Sequence, residues 1–136
     1  MDANAKKTAL RMIPYGLYVL TAADKSGSRV AAATVNWVTQ VAFEPPLVVV
    51  GVKTDSHAHP LIKETKPFRR GTTGAPILTN APAFVECTLE TTVEKADHSI
   101  FVGRVVEAGV AKAPDGRPDD ATLWLRDLGD KVFYGG

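Results

Sequence analysis

The chain has 136 residues, 45% of them hydrophobic and 23% charged, which suits a single globular domain with a core of its own. A formal net charge of +1 and only 7% aromatic residues give no electrostatic or stacking case for nucleic acid or an anionic membrane. No apolar run approaches the length of a membrane span.

In chain order, Ala5 to Met12 reads as a short helix stopped by Pro14. MDANAKKTALRMI lacks the long apolar stretch of a secretion signal. Tyr15 to Ala23 is rich in β-forming residues, and Lys25-Ser26-Gly27 within Asp24 to Ser28 marks a hairpin turn. Arg29 to Ala42 continues as strand and then loop. The most informative stretch is Ala33 to Lys53. A polar segment with Thr34, Asn36, Thr39 and Gln40 runs into Phe43-Glu44-Pro45-Pro46, and the Val-rich run Leu47 to Lys53 follows. The prolines enforce an extended turn, and the short β-branched run predicts a strand buried on both faces. The polar segment before it is expected to lie extended against that sheet, where its main chain can hold a flat, heteroatom-rich ligand.

Asp55 or Ser56 can cap a helix, and Pro60 suits its first turn, so the expectation is a helix over Pro60 to Lys66. Phe84 to Val93 alternates as a half-buried strand, and Ser99 to Val110 is a second. Glu86 and Glu90 fall on the polar side of the first and are expected to be solvated. Cys87 falls among alternating apolar neighbours and reads as packing rather than as a nucleophile. A lone cysteine excludes an intramolecular disulfide and a Cys-based zinc cluster, and it fits a reducing cytoplasm. Ala113 to Asp120 is a surface loop, Thr122 to Leu128 a short helix, and Lys131 to Tyr134 a final strand. The expected fold class is all-β dominated, a barrel with accessory short helices in one domain over residues 1–136.

The Ala33–Lys53 stretch resembles the flavin reductase, or FMN-binding split-barrel (flavoredoxin-like), family. Other pieces match in order: Tyr15 to Thr21, Asp55-Ser56-His57 to Leu61-Ile62, Thr73 to Leu78, Asp97-His98 through Val102-Gly103-Arg104-Val105, and Phe133-Tyr134-Gly135. The chain departs from the family after Phe68, where such proteins usually carry another apolar strand and a helical stretch. Here Arg69-Arg70-Gly71 follow at once. An open barrel edge is disfavoured, so residues are expected to be missing from the sequence between Phe68 and Arg69, with a true deletion as the alternative.

The resemblance implies an FMN cofactor, with FAD as the alternative. It implies NADH or NADPH as co-substrate, and an NAD(P)H:flavin oxidoreductase activity. The other reading is a non-enzymatic FMN electron carrier reduced by a partner protein. A flavin needs donors and an acceptor at its pyrimidine edge, and the stretch Thr34, Val35, Asn36 and Trp37 is where the resemblance lays the ring. Its phosphate needs positive charge or converging N–H groups. Lys53 and the helix start at Ser56 and His57 suit it, with Thr39 and Gln40 adding contacts, and Arg69 and Arg70 as weaker candidates. Ala42 stands where serine is common. By resemblance His98 lies near the nicotinamide; a turn histidine held by Asp97 is the plainer reading. His57, His59 and His98 do not make a metal site by pattern. No Gly-x-Gly-x-x-Gly or Gly-x-Ser-x-Gly motif is present. Direct hydride transfer requires no acid–base dyad, so the absence of one is compatible with flavin chemistry. The resemblance further implies a homodimer and, as partner, a monooxygenase or other acceptor of reduced flavin. The expected location is cytoplasmic.

Overall fold

The computed structural model describes residues 1–54 and 68–132. The expected helix over Pro60 to Lys66, the candidates Ser56, His57 and His59, and Phe133 to Gly135 lie outside these residues. Helix α1 spans Ala3–Arg11. The Asp2 carboxylate caps it by accepting from the Ala5 N–H at 2.6 Å, and Arg11 sits favourably in its last turn.

Strands β1 (Tyr18–Ala23) and β2 (Val30–Val35) form an antiparallel hairpin. The Asp24 carboxylate organises its turn, accepting from Ser26 Oγ, Ser28 Oγ and the Arg29 N–H and Nε, and these bonds hold its pKa far below the usual carboxylate range. Gly27 supplies the left-handed residue, at φ 70°. Tyr15 to Leu17, expected to begin the strand, instead pair with the C-terminal region. Gly16 bridges Trp124, Leu17 N–H donates to Leu123 O at 2.7 Å, and Leu125 N–H donates to Tyr15 O at 2.9 Å.

The stretch read as strand and then loop is two strands. β2 stops at Val35, and β3 runs Val38–Phe43 after a corner at Asn36-Trp37. The Glu44–Pro45 bond is cis, and the chain turns there into β4 (Pro46–Lys53). The short strands β5 (Phe68–Arg70) and β6 (Pro76–Leu78) pair with each other, and Phe68 continues directly into Arg69 in one strand. β7 (Ala83–Lys95) and β8 (His98–Val110) make a long hairpin. The main sheet has the order β3-β4-β8-β7, antiparallel throughout. The Pro118–Ala121 and Leu125–Leu128 segments are single 3-10 turns, and Lys131 and Val132 lie in no strand.

β4 is central, yet it is half-buried from Pro46 to Val52 rather than buried on both faces. Its edges are satisfied by β3 and β8, but one chain supplies too little cover for its faces. The apolar core of the described residues is correspondingly thin: the buried side chains are Ala32, Val35 and Ile77, with Pro76 fully buried. The Thr21 hydroxyl ties β1 to β6 by donating to Pro76 O at 2.6 Å.

Glu86 overturns the solvated reading. It is 4% exposed, and its carboxylate accepts from Thr72 N–H and Thr73 N–H at 3.0 Å each and from Thr73 Oγ1 at 2.8 Å. A Cβ at Gly71 would overlap this carboxylate, so the turn between β5 and β6 wraps closely around it. Burial alone would raise the Glu86 pKa. The bonds from Thr73 and Thr72 and the charge of Arg69 outweigh it and hold the carboxyl below its ordinary value. Strand alternation placed Glu86 on the polar side, but its partners come from a distant turn. Glu90 is exposed and pairs with Arg104, as a surface carboxylate should.

Candidate functional site

The chain's chemistry-bearing groups gather where the β2–β3 corner meets the ends of β4 and β8. Gly51 N–H donates to Trp37 O at 2.9 Å, which fastens the corner to β4. A Cβ at Gly51 would stand 3.1 Å from the Trp37 ring, so the missing side chain lets the indole lie on the strand. Lys53 is paired with His98 in the β4–β8 register. The Trp37 and His98 rings stack with centroids 4.3 Å apart and planes tilted by 32°. His98 Nδ1 lies 2.9 Å from Asp97 Oδ1. That bond, with the nearby charge of Lys53, holds the Asp97 carboxyl below its ordinary value.

Asn36 is 9% exposed, and its Nδ2 has no hydrogen-bond partner among the described residues. A buried amide without a partner costs about 1–3 kcal/mol, and such groups are rare enough to require a reason. The donor is suited to a ligand carbonyl or ring nitrogen. A concavity of about 650 Å³ opens at the same end of the sheet, but Val52, Ser99 and Phe101 alternate onto the face opposite the Trp37–His98 pair, and Asn36, Trp37 and His98 do not line it. Val52 and Phe101 give it apolar wall, Ser99 and Thr54 polar groups, and Lys53, Lys95 and Glu94 its charges. Its volume lies within the range of small-molecule sites.

The structure thus brings Asn36, Trp37, Lys53 and His98 to one end of the main sheet. Thr34 and Val35 end β2, the first exposed and the second buried. Thr39 and Gln40 lie farther along β3, opposite Val49 and Val48. Thr39 alternates onto the same face as Trp37, with its hydroxyl 3.3 Å from Gln40 O. Gln40 falls on the other face, and its amide donates to Ala42 O at 3.1 Å. Arg69 lies over the Phe84 ring, 5.0 Å from its centroid, and Arg70 donates to Gly27 O and Gly74 O at 2.7 and 2.9 Å, so both arginines have work inside the fold. Cys87 is half-buried beside Gly103, and burial, with Glu86 nearby, pushes its thiol pKa up, away from nucleophilic use. Among the described residues, no three His, Cys, Asp or Glu side chains are grouped to hold a metal ion. Gly51 and Thr54 were not singled out from sequence, whereas Asp97 was read as the partner of a turn histidine, and the bond to His98 agrees with that reading. A glycine inside a Val-rich strand is the signal that marks Gly51.

The flavin reductase like domain family matches residues 10–69 and 67–128, and the chain belongs to this family. NADH-dependent flavin reductase StyB of Pseudomonas fluorescens is 27% identical over 148 aligned positions, covering 87% of this chain and 85% of that protein. Diflavin flavoprotein A 1 of Synechocystis is 27% identical, covering 83% of this chain but only 25% of its own length, so this chain corresponds to a quarter of that protein. The flavin reductase of styrene monooxygenase from Pseudomonas putida S12 superposes with a TM-score of 0.63 at 25% identity, covering 80% of this chain and 88% of that one. The split-barrel architecture is common to these structures and to the sheets described above. Among the described residues, no helix is long and apolar enough to cross a membrane.

Proposed function

We propose that this chain is an NAD(P)H:flavin reductase with FMN as its flavin, held at the end of the main sheet. Family membership sets the reaction class, and the unpartnered, buried Nδ2 of Asn36 beside the Trp37–His98 stack is the observation that carries the reading to this site. A bound flavin supplies the ring that accepts hydride. Thr34 to Trp37 would hold the pyrimidine edge, with the Asn36 amide donating to it. Lys53, with Thr39 on the same face, would meet the phosphate, joined by Ser56 and His57; Gln40, on the opposite face, would not reach it. His98 would contact the nicotinamide. None of these groups has to move a proton for hydride transfer. Their task is to place two flat rings face to face and exclude water, which is worth most when both are held close to the reacting geometry.

NADH is favoured over NADPH by the name of StyB, and FMN over FAD by the sequence resemblance alone. The physiological acceptor is proposed to be a monooxygenase or similar enzyme that takes reduced flavin, as the name of the styrene monooxygenase component suggests for that protein. A homodimer is supported by the exposed apolar side chains on the long hairpin, Val85, Leu89, Val93, Ile100, Val106 and Val110, and by the thin core. The whole chain is read as one cytoplasmic domain. The two family matches meet at residues 67–69, which supports placing there the residues its relatives have in addition.

The test is an anaerobic absorption spectrum of the purified protein with added FMN, before and after NADH or NADPH. The expected result is saturable binding and bleaching of the flavin band at a rate that depends on protein. No measurable affinity for flavin removes the site. Tight flavin with no nicotinamide oxidation replaces the reductase with the electron carrier.

A further inference from the structure

The β7–β8 hairpin closes through Ala96 and Asp97, with Lys95 paired to His98. Ala96 has φ 56°, a left-handed conformation that an alanine adopts only at a cost. The tip is tied to the end of β4, because Asp97 O accepts from both Thr54 N–H at 3.0 Å and Thr54 Oγ1 at 3.2 Å. Asp97 therefore has a fixed backbone from which its carboxylate reaches the neighbouring imidazole.

Among the described residues, Trp37 and Asp97 both constrain that imidazole, and they constrain different things. Stacking on Trp37 sets the plane of the ring but tolerates a half-turn that exchanges its two edges. The Asp97 carboxylate does not tolerate the exchange. An ionised carboxylate only accepts, so the nitrogen facing it must carry hydrogen. With Nδ1 at 2.9 Å from Oδ1, Nδ1 is the donor, and in the neutral ring Nε2 holds the lone pair. The His98 side chain is only 16% exposed while that of Asp97 is 76% exposed, so the carboxylate can stay ionised while it orients a largely sheltered ring.

We propose that Asp97, anchored through Thr54, is a positioning residue that fixes the edge and tautomer with which His98 meets the nicotinamide. The inference rests on the flavin reductase reading, since it assigns His98 to that substrate. Outer partners of this kind change activity or affinity by roughly 10–100-fold in metal sites, where a carboxylate orients a ligating histidine in the same way.

The test uses the full chain with FMN and compares wild type, Asp97→Ala, Asp97→Glu and Thr54→Val. Nitrogen-15 NMR of His98, assigned with a His98→Gln variant, reads the tautomer directly. The expected result is an Nδ1–H ring in wild type and a shift toward Nε2–H in Asp97→Ala. With it, kcat/KM for NADH falls by about tenfold, while FMN affinity and the urea midpoint hold. Asp97→Glu recovers part of the loss, and Thr54→Val shows a smaller effect of the same kind. An active wild type whose tautomer or kcat/KM is unchanged in Asp97→Ala overturns the positioning role alone. A wild type that binds FMN but oxidises no NADH overturns the reductase reading, and this role with it.

Discussion

Two buried polar side chains in this barrel have opposite fates. Glu86 is wrapped by the Gly71–Gly74 turn and has three donors on its carboxylate. Asn36, at the β2–β3 corner, is nearly as buried and leaves its Nδ2 without a partner among the described residues. The first group completes its bonding inside the protein and contributes to stability. The second keeps a desolvated donor unpaired, which costs stability and is explained if a ligand completes it. The contrast separates a residue that holds the fold from one that holds a molecule.

The largest expected effect tests the Glu86 side. Glu86→Ala removes the acceptor from three donors and should lower unfolding free energy by about 3 kcal/mol, read from urea denaturation. Because the Glu86 pKa is lowered in the folded state, its contribution is fully present above the unfolded carboxylate value, about 4.3, and is lost as pH falls through the lower folded value. Glu86→Gln should therefore show a weaker acid dependence of stability than wild type. A steep acid loss that survives this substitution would assign it to other carboxylates.

Asn36 should behave in the opposite manner. Asn36→Ala is expected to leave the unfolding free energy within about 0.5 kcal/mol of wild type, or to raise it, while weakening FMN binding by about tenfold. Loss of stability with unchanged flavin affinity would erase the distinction drawn above. The smallest effect concerns the hairpin tip beside His98. Ala96→Gly relieves the left-handed alanine and should stabilise by about 0.5 kcal/mol, because glycine's larger unfolded entropy cancels part of the gain. Hydrogen exchange at Thr54 and His98 would show whether the relief is local.

Local signals in the sequence carried much of this. Alternation through Phe84 to Val93 predicted β7, the Asp24 to Ser28 cluster predicted the first hairpin turn, and Asp97-His98 marked the start of β8. Thr34, Asn36, Thr39 and Gln40 were legible as an extended polar segment beside a Val-rich strand, but the corner at Asn36-Trp37 that divides it between β2 and β3 was not. The illegible parts depend on distant chain. Nothing near Glu86 announces that Thr72 and Thr73 will surround it. Thr39 and Gln40 read as one polar surface with Asn36, yet they belong to β3, and alternation sends them to opposite faces. Burial of β4 was overestimated because an apolar run reports what would be favourable to cover, not what one chain has available to cover it.

The bridge between Gly16 and Trp124 joins almost opposite ends of the chain. During synthesis the Leu17 amide and the Tyr15 carbonyl must wait in water until Leu123 and Leu125 have left the ribosome. Closing so long a loop is entropically unfavourable and comes late in assembly. The entry to β1 is therefore made well before the segment that completes its pairing.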